Sequence, residues 1–245
     1  PRKKQSSMQL RESLPVKIIS LMYHGRSGTG LLHSLIDGHS KVSTLPSIYF
    51  SQYFDHSNWE KIICGGWREM VSRFISIYEV LFDATSATPI ISNSRKMQQN
   101  IGIKEGMANV GDQKNEVLSV DKTIFRSELN RLMACYDKLD AFIFFKLVHA
   151  AFDKAINDQN NKDLIFYHIH NPSLPAKLNF VRSTSEASWV VAVREPIQSC
   201  ESWIKRSLET NEYIEIANKI ISALFEIDNI VYKRKRSVGV RLEDL

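Results

Sequence analysis

Cysteine is scarce in this chain and long apolar runs are missing. Only three cysteines occur in 245 residues, Cys64, Cys135 and Cys200, an odd number without a C-x-x-C pair. That pattern excludes a disulfide framework and a zinc site built on paired thiolates. No stretch reaches the ~18 apolar residues of a membrane-spanning helix. The most apolar one, Ala141 to Val148, is interrupted by Lys146. Internal repeats are absent too. Every asparagine lacks the N-x-S/T context except Asn171, where Pro172 blocks it, which favours a cytoplasmic protein and leaves a lumenal or membrane-anchored full-length form open. Nor is there a strong charge of one sign. Lys plus Arg is 32 against 27 for Asp plus Glu, a formal +5. That surplus suits an anionic ligand but is too small and too scattered to indicate nucleic acid as a partner.

What is present is ordinary globular composition, with 43% hydrophobic and 24% charged residues, and a length that fits one large domain, residues 1–245. The chain begins at Pro1 and stops directly after a strand-like segment, so it reads as a piece of a longer product.

Strand-like and helix-like segments alternate along it. Val16 to Met22 is short, apolar and β-branched, as in a buried parallel strand. His24 to Gly30 (HGRSGTG) is a glycine loop, and Leu31 to Asp37 has helical spacing with Gly38 as its stop. A helix is predicted over Gly66 to Asp83, with Trp67, Met70, Val71, Phe74, Tyr78 and Leu81 on one face. Thr85 to Val120 turns polar and loses periodicity, the pattern of a mobile lid or of an insertion without a role. Helices follow at Lys122 to Lys138 and Asp140 to Asp158, then a strand at Leu164 to His170 and a turn with a short helix around Pro172 to Leu178. Trp189 to Val193 is the clearest buried strand. Pro196 starts a helix to about Leu208, an amphipathic helix covers Tyr213 to Lys235, and Val238 to Leu242 is a last strand. This order predicts a three-layer α/β fold with a central parallel sheet flanked by helices.

A glycine loop between strand and helix exposes backbone N–H groups where the helix dipole favours an anion. Gly25 and Gly30 have the spacing of the nucleotide-kinase loop, but Leu31 and Leu32 stand where its Lys and Ser/Thr belong. The loop can grip a phosphate, yet it lacks the groups for metal-assisted γ-phosphoryl transfer. Arg26, its one charged side chain, can stabilise charge on a leaving phosphate without a metal.

The sequence RSGT (Arg26 to Thr29) between a strand and an apolar helix resembles the 5′-phosphosulfate loop of sulfotransferases that use 3′-phosphoadenosine 5′-phosphosulfate (PAPS). In WVVAVREPIQSCESW, Arg194 closes a strand, Pro196 follows two later and Ser202 eight later, similar to the family's 3′-phosphate site. VGVRLEDL at Val238 to Leu245 resembles its late strand and E-D-L segment. The resemblance implies a P-loop nucleotide-kinase-like fold, with PAPS as donor, adenosine 3′,5′-bisphosphate (PAP) as product, and no metal. It implies that Arg26, Ser27, Gly28, Thr29, Gly30 and Leu31 hold the 5′-phosphosulfate, and that Arg194 and Ser202 hold the 3′-phosphate. It also implies a base at the strand end YHIHNPSLPAK, where His170 is the first choice and Ser173 departs from the family's His before L-P. The resemblance implies a hydroxyl (or amine) acceptor, with a small molecule, lipid or glycan favoured over a protein tyrosine because HSKVSTLPS lacks the tyrosylprotein branch's Pro and glutamate. The rivals are a P-loop nucleotide kinase relative and a non-catalytic nucleotide-binding domain. Relatives continue past E-D-L into a basic glycine-containing loop, so the 3′-phosphate site is expected to be cut short at Leu245. Tyr49, Phe50, Tyr53 and Phe54 fit core packing better than an acceptor pocket.

Overall fold

Apolar residues without polar alternation build strands that are covered on both faces, and this pattern produces β1 (Lys17–Tyr23), β3 (Leu164–His168) and β4 (Ser188–Val193). The computed structural model describes residues 14–23, 27–46, 50, 52–85, 110–158, 160–169, 174–207, 213–228 and 236–245. Two further strands complete the sheet, β2 (Val42–Thr44) and β5 (Ser237–Arg241). The five-stranded sheet runs β2-β3-β1-β4-β5, and every neighbouring pair is parallel. The expected α/β architecture with a central parallel sheet and flanking helices is what the chain forms.

The connecting helices are α1 (Thr29–Ile36), α2 (His56–Ile63), α3 (Trp67–Ile77), α4 (Lys122–Met133), α5 (Ala141–Ala155), α6 (Leu174–Ser183), α7 (Pro196–Ser207) and α8 (Tyr213–Ile227). Aspartates start three of them. Asp55, Asp121 and Asp140 accept from backbone N–H groups in the first turns of α2, α4 and α5, which satisfies donors that no helical carbonyl can reach.

Strand alternation divides the sheet's side chains between two cores. Ile18, Met22, Ile165, Tyr167, Trp189 and Val191 point to the larger one, shared with α2 to α6. Leu21, Phe166 and Ala192 point the other way, against Leu32 of α1 and Val42. The larger core is aromatic. Phe50 stacks on Phe145 at 5.6 Å and 6°, and Phe74 on Phe125 at 5.9 Å and 24°. Tyr53 donates to Ala141 O at 2.7 Å and Tyr167 to Phe50 O at 3.1 Å, so both phenols are buried with partners. Phe50, Tyr53 and Phe54 are therefore core residues, and Tyr49 lies outside the described residues.

Several boundaries differ from the sequence expectation. The helix expected over Gly66 to Asp83 stops at Ile77, because Tyr78 (φ −114°, ψ 38°) leaves helical geometry and a short 3-10 turn, Glu79–Leu81, follows. Trp67, in its first turn, is 41% exposed rather than part of the apolar face. β2 and α2 were not expected: three residues are too few for periodicity, and α2 is announced only by its aspartate cap. Of the polar stretch Thr85 to Val120, the described part is tied back by bridges between Asp83 and Ser119 and between Val110 and Glu116. Residues 86–109, where a lid was expected, lie outside the described residues, as do residues 229–235 at the expected end of α8.

One polar cluster interrupts the larger core. Ser43 Oγ of β2 is 3.0 Å from His149 Nδ1 of α5 and also hydrogen-bonds the Asp153 carboxyl one helical turn on. Burial disfavours charge on both groups, pushing His149 down to about 3 and Asp153 up to about 7. The signs are opposite. Asp153 holds its proton more tightly folded than unfolded, where the ordinary value is 3.8, so its contribution is present at acid pH and lost as pH rises through about 7. His149 contributes above its ordinary 6.5, and that contribution is lost as pH falls towards about 3. In urea unfolding from pH 4 to 8, Asp153→Asn is expected to gain stability over the wild type as pH approaches and passes 7. His149→Gln is expected to gain at the acid end.

Candidate functional site

β1 occupies the centre of the sheet, so its carboxyl end lies between those of β3 and β4. Open parallel sheets bind ligands at that edge. Of the glycine loop, Ser27 and Gly28 are described, while His24, Gly25 and Arg26 lie outside the described residues. Gly28 is the N-cap of α1 at φ 76°, ψ 21°, and among the described residues no side chain caps the helix. The first intrahelical bond is Leu32 N–H to Gly28 O at 3.1 Å. The N–H groups of Thr29, Gly30 and Leu31 thus have no helical acceptor and carry the positive end of the dipole.

Ser27 sharpens the site. It is 2% exposed, and its Oγ has no hydrogen-bond partner among the described residues. A buried hydroxyl in that state costs free energy unless a ligand or water completes it. Thr29 is buried beside it, while Gly30 and Leu31 face outward. A Cβ on Gly30 would meet no atom of the described residues within 4 Å, so packing does not require glycine there. Gly28 is different, since its backbone is left-handed and Leu242 Cδ1 lies where a Cβ would stand.

That contact joins the first motif to the third. β5 pairs with β4, Val193 opposite Arg241, which carries Leu242–Asp244 across to the loop as a 3-10 turn. Glu243 Oε1 accepts from Glu195 N–H at 3.1 Å, joining the third motif to the second. This hydrogen bond is the main reason the Glu243 carboxyl sits below its ordinary range, with Arg241 and Arg194 adding their charge.

Arg194 follows β4 directly, half-buried, and donates to Gln198 Oε1 at 3.2 Å. Glu195 turns its carboxylate to Gln198 N–H at 2.7 Å and caps α7. Glu195 is thereby spent on the helix rather than on Arg194. Ser202 is half-buried on α7, two turns on. The structure therefore brings Ser27, Gly28, Thr29, Gly30, Leu31 and Arg194 to one edge, and seats Ser202 on the helix that starts there.

His170 lies outside the described residues. Two other histidines meet at this edge, a pairing that reading the sequence missed. His168, last in β3, packs edge-on against His33 of α1 with ring centroids 5.8 Å apart. Burial lowers the His33 pKa, against the opposing charge of Asp37. The available signal was parity, because His168 shares the strand face of Phe166, which also touches His33.

Among the described residues no group of three or more His, Cys, Asp or Glu is placed to hold a metal ion, and no helix is long and apolar enough to cross a membrane. Gly28→Ala is expected to cost roughly 1–3 kcal/mol in denaturant unfolding, from the left-handed backbone and the Leu242 contact. Adding Leu242→Ala removes only the contact. Gly30→Ala is expected to leave stability unchanged or raise it by up to about 1 kcal/mol.

No protein-family model, curated protein or solved structure matches the chain.

Proposed function

We propose that the chain is a PAPS-dependent sulfotransferase that moves a sulfuryl group to a hydroxyl or amine without a metal. One observation supports this most. The three segments that resemble the family's donor site are far apart in sequence, yet they touch through Leu242 on Gly28 and Glu243 on Glu195 N–H. The N–H groups of residues 29–31 and the buried Ser27 hydroxyl suit the 5′-phosphosulfate. Arg194 and Ser202 take the 3′-phosphate, and Arg26 steadies the leaving phosphate.

In the transfer, the acceptor oxygen forms a bond to sulfur as the bond from sulfur to the 5′-phosphate oxygen breaks. PAP leaves with the electron pair. The acceptor's proton passes to His170, two residues beyond the end of β3. The cradle lowers the barrier by holding charge that develops on the leaving phosphate. Leu31 stands where a kinase has its phosphate-neutralising lysine, which disfavours γ-phosphoryl transfer. A small molecule, lipid or glycan is the acceptor class we favour over a protein tyrosine.

Calorimetry with PAP and ATP tests the donor site. Arg194→Ala is expected to weaken PAP binding roughly tenfold or more and ATP binding far less, since one charge-assisted contact is lost; equal losses would sink the 3′-phosphate assignment. Labelled-sulfate transfer to a panel of acceptors tests the enzyme. His170→Ala is expected to slow transfer about 100-fold or more while PAP binding holds. PAP binding with no transfer to any acceptor would instead point to a non-catalytic nucleotide-binding domain.

A further inference from the structure

The backbone donors of the glycine loop carry fixed partial charges, and His33 places a group of variable charge near them. It stands four residues after Thr29, one turn into α1. Helical Cα–Cβ bonds tilt towards the N-terminus, which carries the His33 ring back towards the turn whose N–H groups have no helical acceptor. The ring lies edge-on against the end of β3, with centroids 5.9 Å from Phe166 and 5.8 Å from His168. It is half-buried, while Gly30 and Leu31 in the first turn are exposed, so an anion reaches that end of the helix from solvent. The Ser27 hydroxyl, directly before the N-cap, is buried and has no partner among the described residues, a second sign of a ligand there.

We propose that His33 is the titratable member of this anion site, holding a proton while an oxyanion occupies the N–H groups of residues 29–31 and releasing it when the anion leaves. The role rests on the reading of the loop as the cradle of the donor's 5′-phosphosulfate. A dianion one turn away acts on the imidazole through space and needs no contact with it. With the loop empty, burial disfavours the charged ring and lowers His33 below its ordinary 6.5, against the opposing charge of Asp37 on the same helix. From β3 the ring faces Phe166, which carries no charge, and His168, whose protonation competes with that of His33. Asp37 is itself tied to β2, accepting from Thr44 Oγ1. An anion at the helix end shifts this balance. It favours the imidazolium, the proton comes from solvent, and the new positive charge favours the anion by the same amount.

NMR titration of the His33 imidazole in the full chain from pH 5 to pH 8, at low ionic strength with and without sodium sulfate, tests the proposal. Sulfate serves as the probe because it stays a dianion over that range. The His33 midpoint is expected below its ordinary value without sulfate and about one pH unit higher with it. By the same linkage, calorimetry is expected to show sulfate binding up to about tenfold tighter at pH 5 than at pH 8. His33→Gln is expected to remove most of that pH dependence, and the wild-type titration carries the test even where the variant fails to fold. Amide signals of residues 29–31 that move with sulfate while His33 titrates unchanged overturn the role of His33 and leave the anion site standing. No movement at either place overturns both.

Discussion

Everything at the candidate site depends on β1 being central in an all-parallel sheet. Parallel strands deliver all their carboxyl ends to one edge, and the order β2-β3-β1-β4-β5 seats the loop after β1 between two neighbours whose chains leave at the same level. That edge is where open parallel sheets hold their ligands. The helix that follows β1 starts at that edge with the N–H groups of residues 29–31 lacking helical acceptors. An edge position for β1 would leave the same loop open to solvent on one side.

The third motif closes the arrangement. Ser237–Arg241 adds to β4 as the outer strand, and the following turn lays Leu242 on Gly28 and Glu243 on the Glu195 N–H. A left-handed glycine is therefore required at position 28 by packing as well as by backbone geometry, whereas Gly30, two residues on, is not. That contrast separates a glycine the fold needs, Gly28, from one that packing does not require, Gly30.

The two edges of the sheet carry different chemistry. At the carboxyl edge, N–H groups, Ser27 and Arg194 offer donors to an anion. At the amino edge Arg131 pairs with Glu128 and Lys162 with Asp158, while the buried Asp153 carboxyl accepts from Ser43. The same α5 helix that fills the aromatic core with Phe144 and Phe145 carries His149 and Asp153 into it. Both are held uncharged by burial over opposite pH ranges, so the core tolerates them at the expense of making stability depend on pH.

Much was legible in the sequence because it follows from local periodicity and composition. The β-branched runs of β1 and β4, the glycine loop, the proline that opens α7 and the alternation of strand with helix all predict a parallel α/β sheet. The three motifs could be picked out in order, with Ser27, Gly28, Thr29, Gly30, Leu31, Arg194 and Ser202 as candidates. Segments without local signal were not legible: β2 is three residues long, and α2 depends on one aspartate cap. Only the tertiary structure decided that Leu242 sits on Gly28, that His33 meets His168, and that Asp153 is buried against Ser43. Those facts arise from residues far apart in the chain brought together by strand order, which the spacing of residues along a sequence does not encode.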